Sequence, residues 1–273
     1  MKRRTQVLYM RMLSFDLCGF MGSFRRVYST TTSLTYAFPP RTTLEGILAA
    51  VMGFDRNSYY DELGPDNVGI ALALSEPIRK SVQGVDVLNT DSVSPKVLSG
   101  RAKRVQVPTE LVLSKLGWEP LRYHVWVQGR LVDELKEALV KGSRYPLSLG
   151  PADFPAWVEN TEEAECEVFS YGSITSPQLV STVVPSLFSI DFEPEKYIVI
   201  EERLPRTFSS GRISGKAYSY AYEASGKPIR ILPMSKEHGL QNTEVESWKL
   251  FRCQDTVGVF LRSVEDGTLS CRC

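Results

Sequence analysis

A double proline divides this chain early and limits what can surround it. In TYAFPPRTTLEGILAAVMG, Thr35 to Gly53, neither Pro39 nor Pro40 has a backbone N–H, and each biases the residue before it toward extended backbone. A strand-like segment must therefore stop at Phe38. Thr42 and Glu45 have the spacing of a capping box, which predicts a helix over 43–53 with Leu44, Ile47, Leu48 and Val51 as its apolar stripe. Gly46, Ala49, Ala50 and Gly53 are small enough to let that helix approach a sheet closely. On these residues alone, a well-capped core helix of any α+β protein would fit equally well.

The remaining pattern alternates between strand and helix periods. Val7 to Leu17 is expected as a first strand, Val68 to Leu74 and Ile78 to Leu88 as two more, and Leu121 to Gln128 as another. RLVDELKEALVK, Arg130 to Lys141, is an amphipathic helix stopped by Gly142, and Cys166 to Tyr171 supplies a further strand. The order is that of a ferredoxin-like or RRM-like α+β domain over 1–172 with an insertion, a long Ser-, Gly- and Pro-containing loop from Asn89 to Lys103. Beyond Ser170 to Pro177 the runs are β-rich (Leu179 to Val184, Tyr197 to Arg203, Lys216 to Tyr222, Val257 to Val264), so 173–273 is expected as a second, β-rich unit.

Lysine plus arginine and aspartate plus glutamate both number 32, a formal charge of zero, yet the charges are segregated. Lys96, Arg101, Lys103 and Arg104 stand in one window without an acid, and Arg203, Arg206, Arg212 and Lys216 in another. Asp153 to Glu167 and Asp191 to Glu202 are acidic. Such a surface suits a protein that grips a polyanion on one side and other proteins elsewhere, although two balanced, solvated faces read the same way. Five cysteines with no CxxC pair, and only two histidines, favour reduced thiols over a disulfide framework and predict no metal and no cofactor. Arg11 and Asp16 break the apolar run behind MKRR, so a secretory signal is not expected, and no run is long enough to span a bilayer. The expected location is cytoplasmic.

Three stretches carry candidate chemistry. SSGRISGKA, Ser209 to Ala217, has one residue too few between its glycines for a Walker loop and Ala217 where a magnesium-binding hydroxyl belongs; it reads as an anion nest for RNA phosphates or as a plain hairpin turn. GSFRRVYSTTTSLTY, Gly22 to Tyr36, mixes Arg25 and Arg26 with Tyr28 and Tyr36, the residue types that pair phosphates and stack on bases. His124 in RYHVWVQ is the one candidate for acid–base chemistry near neutral pH that lies on a predicted strand; its plain reading is a half-exposed strand histidine.

Taken in order, GSFRR, FPPRTTLEGILAAVMG, RVQVPTE, YPLSLGPADFPA and EERLPRTF resemble the fifth family of CRISPR-associated proteins, with the I-B branch closest. The resemblance runs from about Met10 to Ile231. It implies an RNA-binding subunit that holds the 5′ handle of the CRISPR RNA in the Cascade complex and caps its backbone filament, with Asn89 to Arg104 as an inserted thumb. Its partners would be the backbone subunit, the large subunit and, through the complex, target DNA. Arg25, Arg26, Arg41, Lys103 and Arg104 are the expected phosphate contacts, with Tyr28 and Tyr36 for stacking and Lys96, Arg101, Arg206, Arg212 and Lys216 as further basic positions. In one branch the protein itself cuts repeat RNA without metal through a Tyr, Lys and His constellation. A clear Lys–His pairing is missing here, which favours binding and leaves His124 as the residue an endoribonuclease would use.

Overall fold

The computed structural model describes residues 8–26, 32–88, 94–101, 104–191, 198–205, 217–234 and 243–261. An antiparallel sheet flanked by helices organises them. Strand β1 (Leu8–Gly19) lies at its centre and is followed by helix α1 (Arg41–Met52), β2 (Val68–Leu74), β3 (Ile78–Leu88), β4 (Arg104–Ser114), β5 (Leu121–Gly129), helix α2 (Val132–Lys141) and β6 (Pro155–Ser170). After these come β7 (Val199–Pro205), β8 (Ala217–Glu223), β9 (Lys249–Cys253) and β10 (Thr256–Val259). The main sheet runs β10-β9-β6-β1-β5-β2, with the short strand Leu147–Ser148 added beside β6. All its main-path pairings are antiparallel.

Period-two alternation sends Leu13, Phe15 and Leu17 of β1 to one face, where they join Ile70 and Leu72 of β2 and Val125 and Val127 of β5. Both helices cover that face through Leu44, Ile47, Leu48 and Val51 of α1 and Val132 and Leu135 of α2. Each such side chain, fully buried, contributes about 1.5–3 kcal/mol of transfer free energy. Met12, Ala71, Ala73 and Trp126 point the other way and meet Val168, Phe251 and Phe260 in a second apolar cluster. The C-terminal strands β9 and β10 thus extend the sheet in which β1 lies. β7 and β8, with Val184–Pro185, form a smaller three-stranded sheet.

Several expectations are corrected. Helix α1 starts at Arg41 with Pro40 as its N-cap, and no side chain caps it; the carbonyl of Pro40 accepts from the amides of Thr43 and Leu44. The capping box therefore does not form, because Glu45 faces inward onto Arg41. Gly53 ends the helix at φ 83°, and its N–H donates to Ala49 O. Gly150, in YPLSLG, has φ 111°, and a Cβ there would collide with the carbonyl oxygen of Ser23. Cys166 and Cys253 are disulfide-bonded rather than reduced: they face each other on adjacent strands with their Cα atoms 4.5 Å apart, the spacing of a directly opposed antiparallel pair. The expected thumb, 89–104, is the connection at the tip of a hairpin whose strands β3 and β4 pair from Ile78–Ser114 to Leu88–Arg104. RVQVPTE is a strand, missed because Pro108 and its polar residues hide the alternation. Among the described residues no helix is long and apolar enough to cross a membrane.

Arg41, expected to face RNA, is 3% exposed. Its Nη2 donates to Val68 O at 2.7 Å and Leu63 O at 3.1 Å, and its Nη1 to Leu261 O at 3.4 Å. Its Nε stands 2.8 Å from Glu45 Oε1, an ion pair one turn along the helix. Burial pushes the Glu45 carboxyl up to about 7 despite the guanidinium beside it. Arg41 is thus a core residue that ties the helix to β2 and to the C-terminal strand. Replacing it with alanine would strand Glu45 and three carbonyls, and Arg41→Ala is expected to lose about 3–5 kcal/mol of stability in urea unfolding.

Candidate nucleic-acid interface

The hairpin β3–β4 is held at its base and projects at its tip. Bridges join Gly22 to Val112 and Ser33 to Thr109. Val82, between these bridged positions, and Val85, Val87 and Val105 farther out show apolar surface to solvent. At the tip the hydroxyl of Ser94 accepts from Val97 N at 3.4 Å and caps the one-turn helix Pro95–Leu98. Lys96, Arg101 and Arg104 are exposed there, and none forms an ion pair with a described residue. The structure brings these three sequence candidates together. Tyr28, Lys103, Arg206, Arg212 and Lys216 lie outside the described residues.

The loop behind β1 behaves differently from expectation. Two-residue strands Phe24–Arg25 and Thr35–Tyr36 pair with each other. Arg25 is on the exposed side. Arg26 is engaged in the fold: its Nη2 donates to Glu202 Oε1 at 2.6 Å, its Nε to Thr35 O at 3.0 Å, and its guanidinium lies 5.5 Å from the Tyr36 ring centre. Tyr36 is 3% exposed and so has no face to offer a base. Lys80 Nζ also reaches Glu202 Oε1, at 2.6 Å, and Ala37 N donates to Glu202 Oε2 at 2.8 Å. Arg26 and Tyr36 are thus fold residues, because a buried carboxylate 176 positions away claims the cation and the core claims the ring.

A polar cluster of which the sequence suggested only His124 occupies the sheet face opposite the helices. The register places Glu159, Asp16, His124 and Ala73 in one row across four strands. Asp16, buried, binds His124 Nδ1 through Oδ1 at 2.6 Å; its Oδ2 accepts from Asn160 Nδ2 at 2.8 Å and Arg122 Nη1 at 3.0 Å. Arg122 Nη1 also donates to Glu159 Oε2 at 2.9 Å, while Trp157 Nε1 donates to Glu159 Oε1 at 2.6 Å. Burial would raise the Asp16 pKa, but hydrogen bonds from Asn160, His124 and Arg122 outweigh it and hold the carboxyl below its ordinary value. Hydrogen bonds from Trp157 and Arg122 hold Glu159 low in the same way. Neighbouring Cys18 is buried, which pushes its thiol up to about 12 and leaves it inert. The available signal was Asp16 itself, a carboxylate in the otherwise apolar SFDLC.

The family described as CRISPR-associated protein (Cas_Cas5), with its Cas5d pattern, matches residues 12–216. The chain belongs to that family. Among solved structures, it is similar to a CRISPR protein from Archaeoglobus fulgidus, with a TM-score of 0.58 and 14% identity over 93% of this chain and 100% of the other. A chain of a CRISPR RNA-guided surveillance complex matches at a TM-score of 0.48 and 15% identity, over 85% of this chain and 96% of the other. None of the curated proteins matches the sequence.

Because the folded Asp16 pKa is depressed, its stabilisation is present above the ordinary aspartate value near 3.8 and is lost as pH falls through the folded value. Asp16→Asn is expected to cost about 1.5–3 kcal/mol at pH 7. It should also flatten the fall in stability below pH 4, followed by thermal unfolding across an acid series.

Proposed function

We propose that this chain is the RNA-binding subunit of a type I CRISPR surveillance complex, Cascade, in the I-B branch that its motifs resemble, where it holds the 5′ handle of the CRISPR RNA and caps the backbone filament. The observation that carries this reading is the projecting hairpin of a Cas5-family chain, with Lys96, Arg101 and Arg104 exposed at its tip and no carboxylate paired to them among the described residues. Single-stranded RNA is gripped by such exposed cations, with Arg25, Lys103, Arg206, Arg212 and Lys216 as further contacts. The valines along the hairpin offer an apolar contact for the adjacent backbone subunit. The large subunit and, through the complex, target DNA complete the proposed set of partners.

The strand order supports reading residues 1–172 as an RRM-like unit and 173–273 as its β-rich complement. In chain order β1, α1, β2, β5, α2 and β6 form a β-α-β-β-α-β series, the hairpin is inserted between its second and third strands, and the strands lie side by side as β6-β1-β5-β2.

One observation favours a second reading, a metal-independent repeat endoribonuclease: Asp16 holds His124 by Nδ1, so in the neutral ring Nε2 carries the lone pair a general base requires. Purified protein is expected to leave repeat RNA intact. Site-selective cleavage that disappears with His124→Ala and with a deoxy substitution at the cut would establish the nuclease instead.

For the binding role, the triple change Lys96→Glu, Arg101→Glu and Arg104→Glu should weaken handle RNA binding in the assembled complex. Its salt dependence should flatten by roughly 0.7 slope units for each single-strand phosphate that is no longer neutralised. Control changes at Lys136 and Lys141 of α2, which pair with Glu163 on β6 and with Glu137 one turn back, should leave both unchanged. Equal affinity and slope for the triple variant would move the RNA site off the hairpin.

A further inference from the structure

The polar cluster on the open sheet face continues into an aromatic one. Gly19, the last residue of β1, pairs with both Leu121 and Ala156, so the residue after it stands beside the start of β6. Phe20 is 60% exposed, and its ring centre lies 5.3 Å from that of Trp157 at an interplanar angle of 52°. Trp157 braces the phenyl ring from one side and, through its indole N–H, orients Glu159. Trp157 thus links the exposed ring to the carboxylate, whose Oε2 receives Arg122 at 2.9 Å.

Charge decides what such a place can hold. Arg122 is surrounded by Asp16, Glu159 and Glu76, the last with Oε1 at 4.0 Å from Arg122 Nε. Three carboxylates against one guanidinium disfavour a phosphate. Acceptors are in surplus: Glu76 Oε2 is buried without a hydrogen-bond partner among the described residues, and Glu159 Oε1 accepts only from Trp157, while Oε2 takes Arg122 and, weakly, the Cys18 thiol at 3.8 Å. The complementary ligand is therefore flat, uncharged and rich in donors along one edge. Guanine is the base with two adjacent donors, N1–H and the 2-amino group, that match the two oxygens of a carboxylate, while its O6 and N7 accept from an arginine.

We propose that Phe20, Trp157, Glu159 and Arg122 form a subsite for one unstacked guanine of the bound RNA, the base lying on Phe20 with its donor edge on Glu159. This subsite rests on the RNA-binding reading above and adds base selectivity to it. Glu159 is suited to the role because Trp157 and Arg122 keep it ionised well below neutral pH. Phosphate contacts at the hairpin would set affinity, and this site would set which nucleotide is accepted.

The test uses the full chain and fluorescence anisotropy with a uridine octamer carrying one central guanosine, inosine or adenosine. Guanosine is expected to bind about tenfold tighter than adenosine, with inosine, which lacks the 2-amino group, in between. Glu159→Gln, at a half-exposed position, should abolish the preference while binding of the all-uridine octamer is retained. Phe20→Ala should weaken guanosine and adenosine octamers alike, by about fivefold or more. Equal affinity for guanosine and adenosine in the unaltered protein, or a preference that survives Glu159→Gln, overturns the proposal. If the octamers bind through Lys96, Arg101 and Arg104 but without preference, the handle reading stands and this subsite falls. If none of them binds, both fall.

Discussion

Glu202 is the residue on which the arrangement of parts depends. Its side chain, 4% exposed on β7, receives Arg26 from the loop after β1, Lys80 from the base of the hairpin and the amide of Ala37 just before the double proline. Taking a carboxylate out of water costs several kcal/mol unless its lone pairs are filled, so the joint holds only when all three segments are present together. Thr35 sits at its centre: its carbonyl accepts from Arg26 and Lys80, and its N–H donates to Glu110 Oε2 at 2.9 Å. Because Lys80 and Glu110 lie on opposite strands of the hairpin, the joint grips both. A hairpin fastened so at its base presents its tip at a defined angle.

The sheet separates the helix-covered core from a polar cluster by face. Odd-numbered residues of β1 build the core beneath α1 and α2. On the reverse face the C-terminal strands cover Met12 and Trp126, and the cystine between Cys166 and Cys253 lies within that cover. Farther along the same face the cover ends, and Asp16, Arg122, His124 and Glu159 occupy the uncovered rows. On the RNA-binding reading proposed above, this division gives a Cas5-family chain a rigid platform, one projecting hairpin and one polar patch with which to hold a single strand of RNA.

Basic residues were the least legible part of the sequence. Arg25, Arg26 and Arg41 looked equivalent as cations in polar or turn-rich surroundings. In the fold Arg25 is exposed, Arg26 is paired to Glu202, and Arg41 is enclosed by backbone carbonyls. Lys96, Arg101 and Arg104 remained exposed because the hairpin tip has no core to claim them. The same asymmetry explains why Asp16 passed unnoticed: its partners come from β5 and β6, more than a hundred residues away in sequence.

The sequence by itself determined the elements and their order. The apolar stripe of α1, the amphipathic α2, the alternation of β1, β2 and β5, and the stop at Pro39 and Pro40 are local signals, written within one or two turns of chain. So were the segments that resemble the CRISPR-associated family. Tertiary structure alone decided that RVQVPTE returns as the second strand of a hairpin, that the C-terminal strands complete the sheet begun by the first residues, and which charges face solvent. Pairing and burial depend on neighbours brought together from distant positions, and whether a charged side chain is a ligand contact or an internal tie is settled by those neighbours.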